Sequence, residues 1–528
     1  MSERAGSVGC DFDRLMSVMS VAGMNHAQAV ALIGHLINES NDLRRVDGLE
    51  RALTLGDELR GLGIDAPLDA ALCYFLGNAC AGLRSLRRAS PQSRQEWEQP
   101  EAASEITWHR RALSGAGYEA LPARTKCENL TNLGNILSHV GRCVEAIELW
   151  SRALGIDGSF GMARGNRGHG LVPYGYALYD DYHKAAFLRS AYADLGVAKT
   201  LEITPEARGV FQTDMALLEK HVPAEILSGG TEWRTFPMGE SEAEIGYRRW
   251  CLNERLFLNP LNDIVAESVS AHDILSAPNI VVALGEGPHY HGYFSQLKQE
   301  FVSARYLFYD GTHTTEPHFS DREVLVYNTL DYPVYGLASE KVRSAFRSAY
   351  SILDKVAFFL NYYLRLRIPE RSVKFRTLWY ESQNRERPIR TEFGTRGNWP
   401  LRGLFWLSKD LFEDSEGFRD ALEDDAKELA SIRNHLEHKY LKLVDIPVTS
   451  TKSDTASWFE GFAGGLAVSV NRRRFQEKTL RLLKMARAAM IYLSLGVHAE
   501  EKERAKKRKP GAIVPPMQLD EYDDEWKR

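Results

Sequence analysis

The sequence is poor in cysteine, and its cysteines are scattered. Six cysteines occur among 528 residues, and no two of them form a Cys-x-x-Cys pair. Structural zinc sites and disulfide frameworks need closely spaced or paired cysteines, so we expect neither. We therefore predict a chain without a bound metal or cofactor.

Long apolar runs are also missing. No run reaches the roughly 18 residues of a membrane-spanning helix, and the first residues, MSERAGSVGCDFDR, carry no apolar segment after their charges. A membrane span and a signal peptide are therefore not indicated. We expect a cytoplasmic protein without membrane contact.

The chain has no excess of positive charge. Its formal net charge is −5, which excludes a protein that coats nucleic acid by bulk charge. Any RNA contact must be local, and between Pro369 and Arg402 eight cations face four acids, with aromatic residues interleaved. In such a segment the arginines can bind phosphates while RNA bases stack on the aromatic rings. The alternative is a solvated arginine-rich loop, which has the same composition. The candidate RNA-binding residues are Arg385, Arg387, Arg390, Arg396 and Arg402.

Residues 1–228 have a helical pattern throughout. The clearest unit runs from Asn129 to Gly158. Within it, Gly134, Ala146 and Trp150 stand at the spacing of a tetratricopeptide (TPR) repeat, and weaker copies lie on both sides of this unit. Because one helix pair cannot bury its own face, we predict a TPR-like α-solenoid of about three to five units. Such a surface either binds a protein or peptide partner or serves only as a scaffold.

Residues 229–337 are less regular, and we predict a linker followed by a small mixed connecting module. A helical stretch from Tyr247 ends at Asn259-Pro260. Two strand-like runs, Ile280–Leu284 and Tyr306–Tyr309, flank a helical Phe294–Ser303. The histidines of this module fall in loop-like sequence without carboxylates at helical spacing, so we expect no metal site there.

Residues 338–500 carry four helical patterns. Their predicted bounds are Ser339–Ile368, Asn398–Phe412, Gly417–Val444 and Arg472–His498. We predict a C-terminal four-helix bundle, so that the whole chain is mainly α. The charged tail, residues 501–528, continues the last helix and then breaks at prolines, and its composition favours disorder.

The third pattern contains a dense cluster of polar side chains opposite its apolar stripe. Arg433, Asn434, His435, Glu437 and His438 lie within six positions. Arginine matches the geometry of phosphate, and histidine exchanges a proton near neutral pH, so the combination suits cleavage of a phosphodiester. The alternative is a solvated helix face with a surface ion pair between Arg433 and Glu437.

The motif resembles that of the HEPN superfamily, in which an arginine, a polar residue and a histidine occur on one helix of a four-helix domain. Arg433, Asn434 and His438 of RNHLEH match it, and the layout resembles the subgroup with helical repeats before the catalytic domain. His435 departs from the motif and either assists His438 or is merely exposed.

The resemblance implies a metal-independent endoribonuclease that acts as a homodimer or higher oligomer through this domain. The 2′-OH attacks the phosphorus and leaves 2′,3′-cyclic phosphate and 5′-OH ends, with His438 or His435 as acid or base and Arg433 stabilising charge. Asp354, a carboxylate among apolar neighbours, needs a partner such as Arg433. By analogy the protein is a toxin or phage-defence effector regulated through its repeats. The alternative is a non-catalytic TPR scaffold that dimerises through the bundle.

Overall fold

A computed structural model of the protein describes residues 12–230, 233–283, 285–381, 388–394, 396–416, 418–445, 466–509, 511 and 513–527. Across these ranges the chain is mainly helical, as the sequence predicts. The one described sheet has two parallel strands, Tyr440–Val444 and Ala467–Asn471. None of the described helices is long and apolar enough to cross a membrane.

The N-terminal part consists of successive helix pairs. The pairs are His26–Asp42 with Val46–Gly61, Ala66–Arg87 with Pro100–Ala112, Ala123–His139 with Cys143–Ile156, and Gly161–Ala177 with Asp181–Ala198, followed by Pro205–His221. Short helices occupy Pro91–Gln95, Gly115–Ala120 and Ala224–Leu227. In the third pair Trp150 fills the space between the helices, because a Cβ atom on Gly134 would lie 2.6 Å from Trp150 Nε1. The helix pair predicted at residues 129–158 is therefore present.

The connecting region is helical where strands were predicted. Its helices are Glu242–Asn253 and His289–His313, with 3₁₀ turns at Pro260–Asp263, Ser268–Ser270 and Phe319–Asp321. The run Tyr306–Tyr309 lies inside the second helix, whose buried residues recur every three or four positions. No strand forms at residues 280–283, and Leu284 lies outside the described residues. The helix from Tyr247 ends early, at Asn253, because Arg255 adopts a positive φ of 57°.

Four helices form the predicted bundle. We call them the first bundle helix (Leu337–Tyr363), the second bundle helix (Trp399–Ser408), the motif helix (Ala426–His438) and the last bundle helix (Arg472–Lys506). A short helix, Thr391–Gly394, and 3₁₀ turns at Glu370–Ser372 and Asp524–Trp526 complete the described elements. The last bundle helix is buried almost all round from Leu482 to Val497, so its residues form the centre of the bundle.

The third helix differs from its predicted bounds of Gly417–Val444. It begins at Ala426 and ends at His438, where Lys439 turns to extended backbone (φ −140°, ψ −158°). The next five residues form a strand in which Leu441 and Leu443 are buried, because YLKLV alternates with the period of a strand. Gly417 itself lies outside the described residues.

From Trp97 onward the helix pairs and the bundle share one hydrophobic core, whereas the first helix pair packs against Ala66–Arg87 around a separate core. Trp97 of the N-terminal part lies 6.1 Å from Trp379 and 5.6 Å from Phe405, measured between ring centroids. The backbone N–H of Val144 donates to Tyr492 Oη at 3.0 Å. The predicted domain boundary at residue 228 therefore does not separate two independent hydrophobic cores.

Beyond residue 500 the predicted tail is in part ordered helix. The last bundle helix continues to Lys506, and Glu501 is buried where it accepts a hydrogen bond of 2.8 Å from Tyr363 Oη. Residues 513–523 carry no regular element.

Candidate active site

The motif helix buries one face and exposes the other. Leu429, Ile432 and Leu436 are in the core, whereas Arg433, Asn434, Glu437 and His438 are exposed and His435 is half-buried. The cluster of polar residues predicted from sequence therefore lies at the surface of the bundle. It ends where the helix ends, and the strand Tyr440–Val444 follows directly.

Arg433 is held by two residues of the first bundle helix. Its Nη2 lies 3.3 Å from Asp354 Oδ2, and its guanidinium lies 4.5 Å from the centroid of the Tyr350 ring. The ion pair restrains the position of the arginine, and the ring supports its plane. With 46% of its side chain exposed, Arg433 still has donors free for an anion.

Asp354 is a carboxylate among apolar neighbours, and Arg433 is the partner that the sequence analysis expected for it. Its Oδ1 also accepts a backbone hydrogen bond of 3.4 Å from Phe375. Burial raises the pKa of Asp354, and the neighbouring positive charge of Arg433 opposes that rise. Asp354 contacts Arg433 from the side of the protein, so it acts on a bound phosphate only through the position of the arginine.

Glu437 pairs with a residue that the sequence analysis did not single out. Its carboxylate lies 3.5 Å from Nε of Arg347, on the first bundle helix, and Arg347 also donates to the carbonyl of Leu436. The alternative ion pair between Arg433 and Glu437 is wrong, because each binds a different partner across the helix interface.

The two histidines differ in their environment. His435 Nδ1 lies 2.7 Å from the carbonyl oxygen of Ser431, which can only accept, so Nδ1 carries the proton and Nε2 is left as acceptor. The side chain of His438, at the exposed end of the helix, forms no hydrogen bond or ion pair with any residue that the structure describes. Asn434 is exposed one turn before it. His438 therefore has both ring nitrogens available to a substrate.

The residues that the sequence analysis missed lie on one stripe of the first bundle helix. Arg343 donates to the carbonyl of Leu441 at 3.1 Å, beside the contacts made by Arg347, Tyr350 and Asp354. Their spacings of four, three and four residues put all of them on the face towards the motif helix. That spacing is visible in the sequence, but which helix faces the stripe is not.

A loop fixes the strand that follows the motif helix. Lys442 pairs with Asp331 at 2.6 Å, and the hydroxyls of Tyr335 and Tyr440 lie 2.7 Å apart. Burial and the contact with Tyr335 raise the pKa of Tyr440 to about 12. Residues 319–332 of this loop, which we call the apolar loop, carry a set of exposed apolar side chains: Phe319, Val324, Leu325, Val326, Tyr327, Leu330 and Tyr332.

The structure corrects the predicted RNA-binding arginines. Arg402 is buried and donates to backbone carbonyls of Arg94 and His139, which contradicts a contact with RNA. Arg396 pairs with Glu500, and Arg390 donates to the carbonyl of Leu378 at 3.0 Å. The predicted contacts of Arg385 and Arg387 lie outside the described residues.

The aromatic residues of the same segment do not form a stacking surface. Trp379, Tyr380 and Phe393 are buried in the shared core, where Trp97 packs against Trp379 and Phe393. The interpretation as a base-stacking surface is therefore wrong for these three rings.

The histidines of the connecting region are divided between a helix and irregular backbone, because His318 lies in irregular backbone as predicted and three others do not. His289, His291 and His313 belong to one helix, and His313 stacks on Tyr309 with ring centroids 4.1 Å apart. Across the described parts of the chain, no three His, Cys, Asp or Glu side chains are grouped so that they could hold a metal ion.

Residues 281–500 match the family described as LA2681-like HEPN. The matched stretch contains the four bundle helices up to residue 500 and also the preceding helix, His289–His313. It covers less than half of the chain, and the helix pairs of the N-terminal part lie outside it. Neither the search of curated proteins nor that of solved structures gives a match.

Proposed function

We propose that the HEPN domain at residues 281–500 makes this protein a metal-independent endoribonuclease. HEPN domains are generally associated with ribonuclease activity, and the ribose 2′-OH of RNA supplies the nucleophile. Attack on the adjacent phosphorus gives a 2′,3′-cyclic phosphate and a 5′-OH end. The chemistry requires a base, an acid and a positive charge near the phosphorus, and it requires no cofactor.

The observation that carries the proposal is the setting of Arg433. Asp354 and Tyr350 fix the guanidinium at the surface, so it meets a phosphate in one orientation without losing its exposure. A preorganised cation stabilises the charge that develops on the phosphorane-like transition state. A merely solvated arginine would not need two partners on another helix.

We assign the main acid–base role to His438. Both of its ring nitrogens are available, whereas Nδ1 of His435 is already bound to the carbonyl of Ser431. His435 keeps a free Nε2 and can supply the second proton transfer. Asn434, one turn before His438, orients the phosphate or the ring, and Glu437 holds the end of the helix through Arg347.

We further propose that two copies of the chain combine their motif helices in one site. A single copy offers few groups around His438, and two copies would supply two histidines and two arginines about a two-fold axis. The apolar loop contacts the strand that follows the motif helix, and its exposed side chains are the kind of surface that a symmetric partner covers. Asp331 of this loop pairs with Lys442 of the strand after the motif helix, so dimerisation would act next to the site.

The helix pairs are proposed to be TPR-like repeats that regulate the site in a toxin or defence effector. Arg110 binds Asp410 at 2.7 Å and Glu423 at 3.0 Å, and Arg111 binds Asp424 at 3.1 Å. These acids lie in the segment that leads into the motif helix at Ala426. A protein or peptide partner that moves the second helix pair would therefore move this segment.

A groove on the helix pairs supports the idea of such a partner. It has a volume of about 450 Å³ and is lined by residues of three successive pairs, including Tyr74, Asn132 and Met162. Extended binding surfaces that span neighbouring repeats are typical of helical-repeat proteins.

The proposed activity is tested with the purified full-length chain. Incubation with total RNA and with tRNA in EDTA should give fragments, and their ends should be 2′,3′-cyclic phosphates and 5′-hydroxyls. Fragments with 3′-OH and 5′-phosphate ends, or cleavage that stops in EDTA, would assign a metal-dependent mechanism and remove the present one.

A further inference from the structure

A small cavity at the junction of the helix pairs and the bundle is lined by arginines. It has a volume of about 280 Å³, and its walls are Arg84, Ser85, Arg88, Arg94 and His139. This volume is at the low end for small-molecule sites, and it suits a phosphate or pyrophosphate group with a small substituent. A folded strand of RNA is too large for it.

The three carboxylates described at the cavity pair with Arg84 and Arg88 and leave Arg94 without one. Arg84 pairs with Glu105 at 2.7 Å, and Arg88 pairs with Glu101 at 3.0 Å and with Glu96. Among the described residues Arg94 pairs with no carboxylate, and its Nε donates to the carbonyl of Arg88 at 3.2 Å. The guanidinium of Arg94 therefore keeps donors for an anion.

A second unpaired cation lies behind the cavity. Arg402, from the second bundle helix, is 91% buried and donates to the carbonyls of Arg94 and His139, two residues of the cavity wall. Its Nε has no hydrogen-bond partner, and no carboxylate of the described chain pairs with it. Burial without a counter-charge lowers the pKa of Arg402 to about 10.

The positive charges around the cavity also act on His139 and affect the pKa of its ring. Its Nε2 lies 3.0 Å from the amide oxygen of Gln99, which can only accept, so the ring is held as a neutral donor. Burial, followed by the charges of Arg84, Arg402, Arg94 and Arg88, lowers the pKa of His139 to about 3. A cavity in which a half-buried histidine is neutral at pH 7 and two arginines pair with no described carboxylate favours the binding of an anion.

We propose that this cavity binds a small phosphorylated molecule through Arg88 and Arg94, with Arg402 supplying charge from behind. Guanidinium groups match phosphate oxygens with paired donors, which a point charge cannot do. The occupant would contact the wall to which Arg402 of the bundle is bonded, so it would tighten the junction between the helix pairs and the HEPN domain. The inference goes beyond the proposed nuclease and does not depend on it.

The test measures binding to the full-length protein by calorimetry and thermal unfolding at constant ionic strength. The probes are inorganic phosphate, pyrophosphate, ATP and a 5′-phosphorylated RNA oligonucleotide, with chloride as reference. We expect at least one small probe to bind with a measurable heat and to raise the unfolding temperature. Arg94→Gln should weaken that binding roughly 10- to 100-fold, the value of one charge-assisted hydrogen bond.

Arg152→Gln is the matched control, because Arg152 is an exposed arginine of the helix pairs that does not line the cavity. It should bind the probe like the wild type. Circular dichroism confirms that both variants are folded, and the exposed position of Arg94 makes folding of its variant the expected result. No binding of any small probe, binding of the oligonucleotide alone, or equal binding by the two variants would each overturn the proposal.

Discussion

Arg433 on the motif helix and Asp354 on the first bundle helix form an ion pair between residues 79 positions apart in the chain, with Nη2 and Oδ2 separated by 3.3 Å. The ring of Tyr350 lies beneath the same guanidinium. The guanidinium of Arg433 is therefore held by the first bundle helix on one side and is open to solvent on the other. Activity and stability should respond differently when this pair is broken.

Asp354→Asn should lower RNA cleavage about 10-fold or more, because Arg433 loses the charge that positions it. The same change should leave stability equal or higher at pH 7. Burial raises the pKa of Asp354, so the folded state prefers the protonated form, and stability falls as pH rises from the ordinary value of 3.8 through the folded value. At pH 7 the ionised carboxylate thus costs stability, and asparagine removes that cost.

The measurement pairs cleavage rates with thermal unfolding at pH 7. Asp69→Asn is the control, since it breaks a surface pair with Arg60 far from the motif in sequence. If Asp354→Asn cleaves RNA as fast as the wild type, the carboxylate does not position Arg433 for catalysis.

Arg433→Lys should reduce kcat by roughly 100-fold, the scale found when one donor to a developing charge is removed. A lysine keeps the charge but cannot make the planar paired contact or stack on Tyr350. Single-turnover cleavage separates this effect from weaker RNA binding. Arg473→Lys, at an exposed position of the last bundle helix, serves as the control, and an equal rate for both variants would contradict the role of Arg433.

Asp410→Asn should destabilise the protein by about 3 kcal/mol, the low end for a broken buried pair, because buried Arg142 and half-buried Arg110 lose their shared counter-charge. Among the described carboxylates they keep only Glu145 and Glu423. These two arginines hold the pKa of Asp410 well below its ordinary range, in spite of burial. The stabilisation is therefore complete above pH 3.8 and is lost as pH falls towards the folded value.

Urea unfolding at pH 7 and at about pH 2.5 measures the difference in stability between wild type and Asp410→Asn, which should be smaller at the lower pH. Asp414→Asn, in an exposed pair with Arg419, should change stability by less than about 1 kcal/mol. A small effect of Asp410→Asn would mean that the contact between the helix pairs and the bundle does not depend on this charge.

Leu325→Glu with Leu330→Glu should convert the proposed dimer into monomers and lower cleavage, because charges would replace the apolar surface that we propose a second copy covers. Light scattering after size exclusion gives the mass, and the cleavage assay is run on the same fractions. Val210→Glu, at an exposed apolar position of the helix Pro205–His221, should change neither. A monomeric variant that cleaves at the wild-type rate would show that one chain contains the complete site.

The helices of the bundle could be predicted because their apolar residues recur at helical spacing over long segments. The third helix shows the limit of that approach. Tyr440 and Leu443 fit the helical stripe of Leu429 and Ile432, yet the same residues also alternate as a strand. The parallel partner at Ala467–Asn471 decides between the two, and it lies outside the local window.

Part of the candidate site could also be predicted from the sequence. The burial cost of an unpaired carboxylate was enough to propose Arg433 as the partner of Asp354. Which helix would face the stripe of Arg343, Arg347 and Tyr350 depends on tertiary packing, so these residues were missed. Trp379 is buried because it packs against Trp97 of the N-terminal part, which is nearly 300 residues away in the chain.

The most direct test of the account compares wild-type protein with His438→Ala on tRNA in EDTA, with the rate of formation of 2′,3′-cyclic phosphate ends as the readout. His438 is exposed and outside the core, so the variant should be folded and unfold at the wild-type temperature. We predict a loss of rate of about 10²- to 10⁴-fold, the usual contribution of a general acid or base. Formation of the same ends at an undiminished rate by the folded variant would contradict the assignment of the motif helix as the active site.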